Sequence, residues 1–300
     1  MKNNIAVIGL GSMGYGIATS CLQSGHLVWG VDTNIDQVNA FCSQGGQATT
    51  LNSVIDKIDV VIVVVLNSMQ TEEVLFGQEG LVENLKPGTV VISCATVAPT
   101  FAIDMERRCK EFEIFYLDAP ISGGALKAKN GQLSIMASGV KEAFQHARPT
   151  LDSISETVFE LGDEAGTGSA MKSVNQLLAG VHIAVMAEAL TFGISQGISP
   201  DKFVEVISKC AGTSWMLENR APHIVNGDYK PHSSINIWPK DLGIVLDVAL
   251  ESKFNAPIAT AALEQFRTAV DMGLGFEDDA AVAKVYAKSA NLSLPKKNDV

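Results

Sequence analysis

The chain has 300 residues, of which 47% are hydrophobic and 18% charged, enough to build two globular domains of ordinary size. A formal net charge of -11 argues against nucleic acid or a polybasic membrane anchor as partner, since both need a cationic face. Cys21, Cys42, Cys94, Cys109 and Cys210 form no C-x-x-C pair, and no histidine or carboxylate cluster has metal-ligand spacing. A reduced, cytoplasmic protein without metal is therefore expected.

In chain order, "NIAVIGL" (4–10) reads as a strand, residues 12–24 as a helix, "HLVWGVD" (26–32) as a second strand and 34–43 as a helix. "DVVIVVV" (59–65) is continuously apolar, as a parallel strand covered on both faces must be, and far too short to span a bilayer. "TVVISC" (89–94) and "IFYLDAP" (114–120) continue the alternation, with "GQLSIMASG" (131–139) and "SETVFEL" (155–161) as closing strands. Strands alternating with helices predict a doubly wound α/β sheet. From residue 166 the strand signal stops. A long helix over 166–195 is predicted, then helices at about 200–210, 214–226, 239–252, 257–272 and 278–290, punctuated by prolines. The expected organisation is an α/β nucleotide-binding domain over 1–164, an all-α domain over 165–290 joined to it by the long helix, and a disordered polar tail over 291–300.

"GLGSMG" places Gly9, Leu10, Gly11, Ser12, Met13 and Gly14 in a G-x-G-x-x-G pattern that follows a strand and opens a helix. In that context the glycines allow a tight turn, close approach of a diphosphate and close helix packing, the fingerprint of a Rossmann-type domain. Asp32 ends the second strand, where a carboxylate accepts from the ribose hydroxyls and repels a 2′-phosphate. No Arg or Lys occurs from residue 33 to 56, so NAD is expected over NADP. Asp32 could also cap the following helix. In "DAPISGG", Ser122, Gly123 and Gly124 offer a hydroxyl and unhindered N–H groups suited to a carboxylate, although the same residues make an ordinary turn.

"GLGSMG", "DAPISGG", "GTGSAMKSVNQ" and "KDLGIVLD" stand in the order and spacing of the β-hydroxyacid dehydrogenases, the family of 3-hydroxyisobutyrate dehydrogenase, which the chain resembles over about residues 3–290. The resemblance implies a Rossmann-type NAD-binding domain, a long connecting helix and a helical C-terminal domain. It implies Lys172 as the catalytic acid/base and Ser122, Gly123 and Gly124 as the substrate-carboxylate site. It also implies cofactor contacts from Thr96, from Leu66 and Asn67, and from Lys240. Where most members have Asn, this chain has Gln176 in "KSVNQ", a feature shared with the branch that oxidises L-threonate. A four-carbon sugar acid is thus the expected substrate. Tartronate semialdehyde, 3-hydroxyisobutyrate, an imine and a non-catalytic NAD-binding scaffold are the rival readings.

Gly168, Lys172 and Gln176 are four apart and share a helix face, on which Gly168 is expected to leave room for substrate and Gln176 to bind a substrate hydroxyl or hold the amine. The helix start and the apolar neighbours Met171, Val174 and Leu177 are expected to favour the neutral amine of Lys172. Without the motif, Lys172 would read as a snorkelling side chain. Asp241 could orient Lys240 or cap its helix, Trp215 and Trp238 could line a pocket or pack in a core, and His182 lies off the Gln176 register. The apolar surface of the long helix predicts a homodimer or homotetramer.

Overall fold

Runs of Val and Ile too short for helices, but apolar at every position, build the first sheet. The computed structural model describes residues 2–47 and 50–297, and the chain divides into two units, Met1–Lys172 and Ser173–Val300. The first unit opens with β1 (Asn4–Ile8), α1 (Gly14–Gln23), β2 (Leu27–Val31), α2 (Ile35–Ser43), β3 (Val60–Val63), α3 (Ser68–Phe76), β4 (Val90–Ser93), α4 (Pro99–Lys110) and β5 (Phe115–Asp118). These strands form one parallel sheet in the order β2-β1-β3-β4-β5. Alternate side chains serve opposite faces. Ile5, Val7, Val60 and Ile62 pack with Ile17 and Cys21 of α1, while Ala6, Ile8, Val61 and Val63 pack with Leu75 of α3 and Met105 of α4. Burial on both faces explains the lack of polar alternation in these strands.

The two closing strands do not extend this sheet. Pro120 stands two residues past the end of β5 and brings no N–H to the ladder, and the chain starts a second, three-stranded sheet. It consists of β6 (Ile121–Ser122), antiparallel to β7 (Leu133–Ala137), with β8 (Ser155–Glu160) parallel to β7. The helices α5 (Gly124–Lys129) and α6 (Lys141–Ile154) fall between them. An antiparallel bridge between Asp118 and Ser138 links the end of β5 to the residue that follows β7.

Helix α7 (Thr167–Ser195) starts in the first unit and continues into the second. By length and composition it could cross a membrane, yet half of its most apolar window is buried within the protein, as in a core helix. The second unit adds α8 (Pro200–Ile207), α9 (Trp215–Val225), α10 (Ile237–Glu251), α11 (Pro257–Asp271) and α12 (Ala283–Ser289). Ser199 and Ser214 cap α8 and α9 through their side chains. Ile183, Ala187 and Leu190 of α7 share a core with Leu217, Trp238, Leu242 and Phe266. The segment after α12 departs from the expected disorder as far as Lys297. There Leu292 N–H donates to Ala287 O, Leu294 packs on that core and Lys297 pairs with Asp228. Residues 298–300 lie outside the described residues.

Candidate active site

The loop after β1 is shaped by what cannot fit there. Gly9 has φ +96°, and a Cβ on it would lie 2.4 Å from Val64 O in the loop after β3. A Cβ on Gly14 would lie 1.8 Å from Gly9 O, so α1 seats directly on the loop. At Gly11 the same construction meets nothing within 4 Å. Two glycines thus serve packing, and the third leaves its outward side open. No side chain caps α1 and no acidic residue occupies its first turn. The helix N-terminus therefore keeps its positive end for an anion, and these residues fit the diphosphate of a dinucleotide.

Asp32 joins this loop to the next. Its Oδ2 accepts from Leu10 N–H at 2.6 Å and its Oδ1 from Asn34 N–H at 2.8 Å. It does not cap α2; Asn34 does, accepting from Asp36 N–H. The carboxylate keeps lone pairs for ribose hydroxyls while fixing the glycine loop. Asn67 caps α3 by accepting from Gln70 N–H at 2.9 Å, and Leu66 N–H donates to Gln70 Oε1 at 2.8 Å, with Leu66 exposed. Thr96 is half-buried two residues beyond the loop start that follows β4. All of these residues lie beyond the carboxyl ends of parallel strands, and the β1/β3 pair is where strand order reverses, the general ligand crevice of such sheets.

Beyond β5, Gly123 and Gly124 have φ of +134° and +77°, a backbone course that side-chain-bearing residues rarely follow. Ser122, at the end of β6, is half-buried. Lys172 is 7% exposed, and its Nζ donates to Ile121 O at 2.8 Å. The structure therefore brings Lys172 to the residue immediately before Ser122, although 51 positions separate lysine and carbonyl.

Asp118 holds the start of α7. Its Oδ2 accepts from the N–H groups of Gly166 at 2.9 Å and Ser169 at 2.8 Å, and its Oδ1 accepts from Ser169 Oγ at 2.6 Å. Burial pushes this carboxyl above the usual carboxylate range, opposed by the hydrogen bonds from Ser169 and Gly166. Ser138 Oγ accepts from Gly168 N–H at 3.0 Å, and Glu106 accepts from Ala165 N–H at 3.1 Å. None of Asp118, Ser138, Ser169 and Glu106 was singled out from sequence. The visible signal was a carboxylate opening "DAPISGG", two residues before a proline.

Two expectations about this helix face are corrected. Gly168 leaves no room for substrate: a Cβ there would lie 2.5 Å from Asp118 O and 2.6 Å from Met136 O, so its role is to let α7 land on the strand ends. Met171 and Val174 do not desolvate Lys172, because both are exposed; Leu177 packs with Ala249, Ala256 and Ala259. They are close to the lysine in sequence but on other faces of the helix.

In the second unit, Gln176 is buried, donates from Nε2 to Asp241 Oδ2 and accepts from Asn175 Nδ2 at 2.9 Å. The other oxygen of Asp241 pairs with Lys240 Nζ. Asp241 lies five residues after the α10 cap, Asn236, so it orients Lys240 and Gln176 rather than capping the helix. Trp238 is a core residue, stacked on Phe266 and bonded through Nε1 to Asp279, whereas Trp215 is exposed at the start of α9. His182 is half-buried on α7.

Residues 4–162 match the family described as the NAD binding domain of 6-phosphogluconate dehydrogenase, and residues 166–286 that described as NAD-binding of NADP-dependent 3-hydroxyisobutyrate dehydrogenase. The chain belongs to the β-hydroxyacid dehydrogenase family. It is 46% identical to an L-threonate dehydrogenase of Cupriavidus necator over 95% of this chain and 97% of the relative. It is 42% identical to an L-threonate dehydrogenase of Escherichia coli over 95% of each chain. A crystal structure of a 3-hydroxyisobutyrate dehydrogenase from Salmonella typhimurium is 40% identical, with a TM-score of 0.88 over 94% of this chain and 99% of that one. The protein is a nicotinamide-dependent oxidoreductase acting on the CH–OH group of a hydroxy acid, with a Rossmann-type domain and a helical C-terminal part.

Proposed function

We propose that this dehydrogenase oxidises L-threonate to its 2-oxo acid with NAD, and that Lys172 is the general acid/base. The observation that carries the catalytic part is the buried Lys172 amino group held at Ile121 O, next to Ser122, Gly123 and Gly124. The substrate follows from the relatives named for L-threonate and from Gln176.

The substrate carboxylate is assigned to Ser122 Oγ and the backbone N–H groups of Gly123 and Gly124. Lys172 Nζ takes the proton of the C2 hydroxyl as the C–H bond gives up its hydride, and returns a proton in the reverse direction. A bound nicotinamide supplies the hydride acceptor. Gly9, Leu10, Gly11, Ser12, Met13 and Gly14 are assigned to the diphosphate, Asp32 to the ribose, and Leu66, Asn67, Thr96 and Lys240 to the rest of the cofactor. Asp32 and the absence of cations from 33 to 56 support NAD over NADP. Gln176 retains one N–H and one lone pair after its bonds to Asp241 and Asn175, enough to read a substrate hydroxyl.

The test is an NAD-reduction screen with L-threonate, D-threonate, the erythronates, glycerate and 3-hydroxyisobutyrate. L-Threonate is expected to give the highest kcat/KM. A preference for 3-hydroxyisobutyrate, the substrate in the name of the Salmonella structure, would replace this reading. Lys172→Ala is expected to bind NAD normally and to lose at least ~10²-fold in turnover.

A homodimer or homotetramer in the cytoplasm completes the reading. Leu178, Val185 and Phe192 are exposed at seven-residue spacing along α7, an apolar row suited to a second subunit. Light scattering after gel filtration tests it: Val185→Asp is expected to lower the mass to that of one chain.

A further inference from the structure

Asp118 lies where two parts of the proposed catalytic apparatus begin. Its backbone ends β5, three residues before Ile121, whose carbonyl accepts from Lys172 Nζ. Its carboxylate accepts three hydrogen bonds from the start of α7, the helix on which Lys172 is carried. Both ends of the Lys172 contact are thus tied to one residue, one through its backbone and the other through its carboxylate.

The placement is confined from several directions. Asp118 N–H donates to Ser138 O at 3.0 Å and Ser138 N–H to Asp118 O at 2.9 Å, which locks the strand end to the second sheet. Ser138 Oγ then receives Gly168 N–H, and Gly168 itself has no space for a methyl group against Asp118 O and Met136 O. Lys172 is one turn beyond Gly168 on the same face. A helical side chain leans back toward the N-terminus, so a shift of the first turn is transmitted directly to Nζ. A displacement of about 1 Å in a reacting group can cost ~10²-fold in rate.

We propose that Asp118 is a positioning residue for Lys172, setting its height above the Ile121–Gly124 loop by fastening the first turn of α7. The proposal rests on the reading of Lys172 as the general acid/base. It requires the carboxylate's acceptor geometry rather than its charge. An asparagine can supply it: the amide oxygen accepts the N–H groups of Gly166 and Ser169, and the Ser169 hydroxyl reverses to accept from the amide nitrogen.

The experiment compares Asp118→Ala, Asp118→Asn, Ser169→Ala and the control Thr89→Ala. Thr89 is a buried residue whose hydroxyl bonds Ile58 O at 3.1 Å, at the amino end of β4, whereas the assigned loop residues follow the carboxyl ends of the strands. Turnover, KM for NAD, Tm and amide hydrogen exchange over 166–173 are measured for each. Asp118→Ala is expected to lose about 30-fold in kcat with KM for NAD within about twofold, and to lose exchange protection over 166–173. Asp118→Asn is expected to recover kcat to within about threefold, and Ser169→Ala to fall between. Thr89→Ala is expected to lower Tm with wild-type kcat.

Wild-type kcat in Asp118→Ala, an asparagine variant as slow as the alanine one, or a kcat loss in Thr89→Ala that matches its Tm loss overturns the proposal. If Asp118→Ala does not fold, Asp118→Asn and Ser169→Ala decide it alone, near-wild-type and intermediate kcat respectively supporting it. Unchanged exchange over 166–173 in both alanine variants refutes the fastening itself whatever the activity. A Lys172→Ala enzyme with normal turnover sinks the acid/base reading instead, and the exchange result then stands apart from it.

Discussion

The two units place their polar chemistry differently. In Met1–Lys172 the assigned cofactor and substrate residues lie on short loops immediately after strands, so a few residues of sequence contain a whole structural device. In Ser173–Val300 the polar residues work as buried pairs drawn from distant helices: Gln176 with Asp241, Arg220 with Asp279 and His223 with Asp278 are 65, 59 and 55 positions apart. A strand end concentrates function into a motif, whereas a helix bundle distributes it over faces. The first kind of unit should therefore fail locally, losing a ligand, and the second globally, losing its fold.

The largest expected effect lies in the bundle. Arg220→Ala leaves the buried Asp279 without its 2.6 Å partner, a loss of about 3–5 kcal/mol in stability by denaturant titration. If the loss is under about 1 kcal/mol, the buried pairs are not what holds this unit. Next come the glycines. Gly14→Ala forces a methyl group against a backbone oxygen and should cost about 3 kcal/mol together with NAD binding. Gly11→Ala meets open space, so its stability should stay within ~0.5 kcal/mol while NAD affinity falls. Calorimetric titration with NAD and a Tm for each variant separate packing from binding; equal effects at both positions would erase the distinction.

A smaller effect appears on acidification. Burial raises the Asp278 carboxyl, but hydrogen bonds from His223, His232 N–H and Ala280 N–H more than offset it and leave the group below its ordinary value. A depressed folded-state pKa contributes stability above the unfolded value, near ~4, that is lost as pH falls through the folded value. Asp118 is shifted the opposite way by burial, so protonation below its raised folded value favours the folded first unit relative to the unfolded chain. Hydrogen exchange below about pH 4 should show protection lost around Asp278 as its carboxylate is protonated, an effect opposed by its neighbour Asp279, which burial raises. Asp278→Asn should flatten that dependence. The smallest effect is expected at the surface, where Lys86→Ala removes the half-exposed 2.7 Å pair with Asp59 and should change stability by about 0–1 kcal/mol.

The contrast also explains what the sequence could reveal. The five strands of the parallel sheet were legible, because parallel strands covered on both faces must be apolar throughout, whereas the two-residue β6 was missed. The split into two sheets was not, since Pro120 reads as a strand terminator without saying which sheet the next strand joins. Gly9, Gly11 and Gly14 were legible as a group, but which ones pack and which faces open space needed the loop after β3. Gly168 was misread because helical spacing gives a face and not what that face meets. Asp118 went unnoticed because the partners of its carboxylate at the start of α7 lie 48 and 51 positions further on. In the bundle, Asp241 left two roles open until Asn236 proved to be the α10 cap.

Asp32 illustrates a limit on redesigning the coenzyme preference. Its carboxylate is also the clasp that holds Leu10 N–H and Asn34 N–H, so the residue proposed to read the ribose also shapes the loop proposed to receive the diphosphate. Replacing it by a small neutral residue to admit a 2′-phosphate would release two backbone donors at the same time. Affinity for either coenzyme would then drop before any new preference emerged. A workable exchange has to keep an acceptor at position 32 and supply the missing cation from the stretch that follows it.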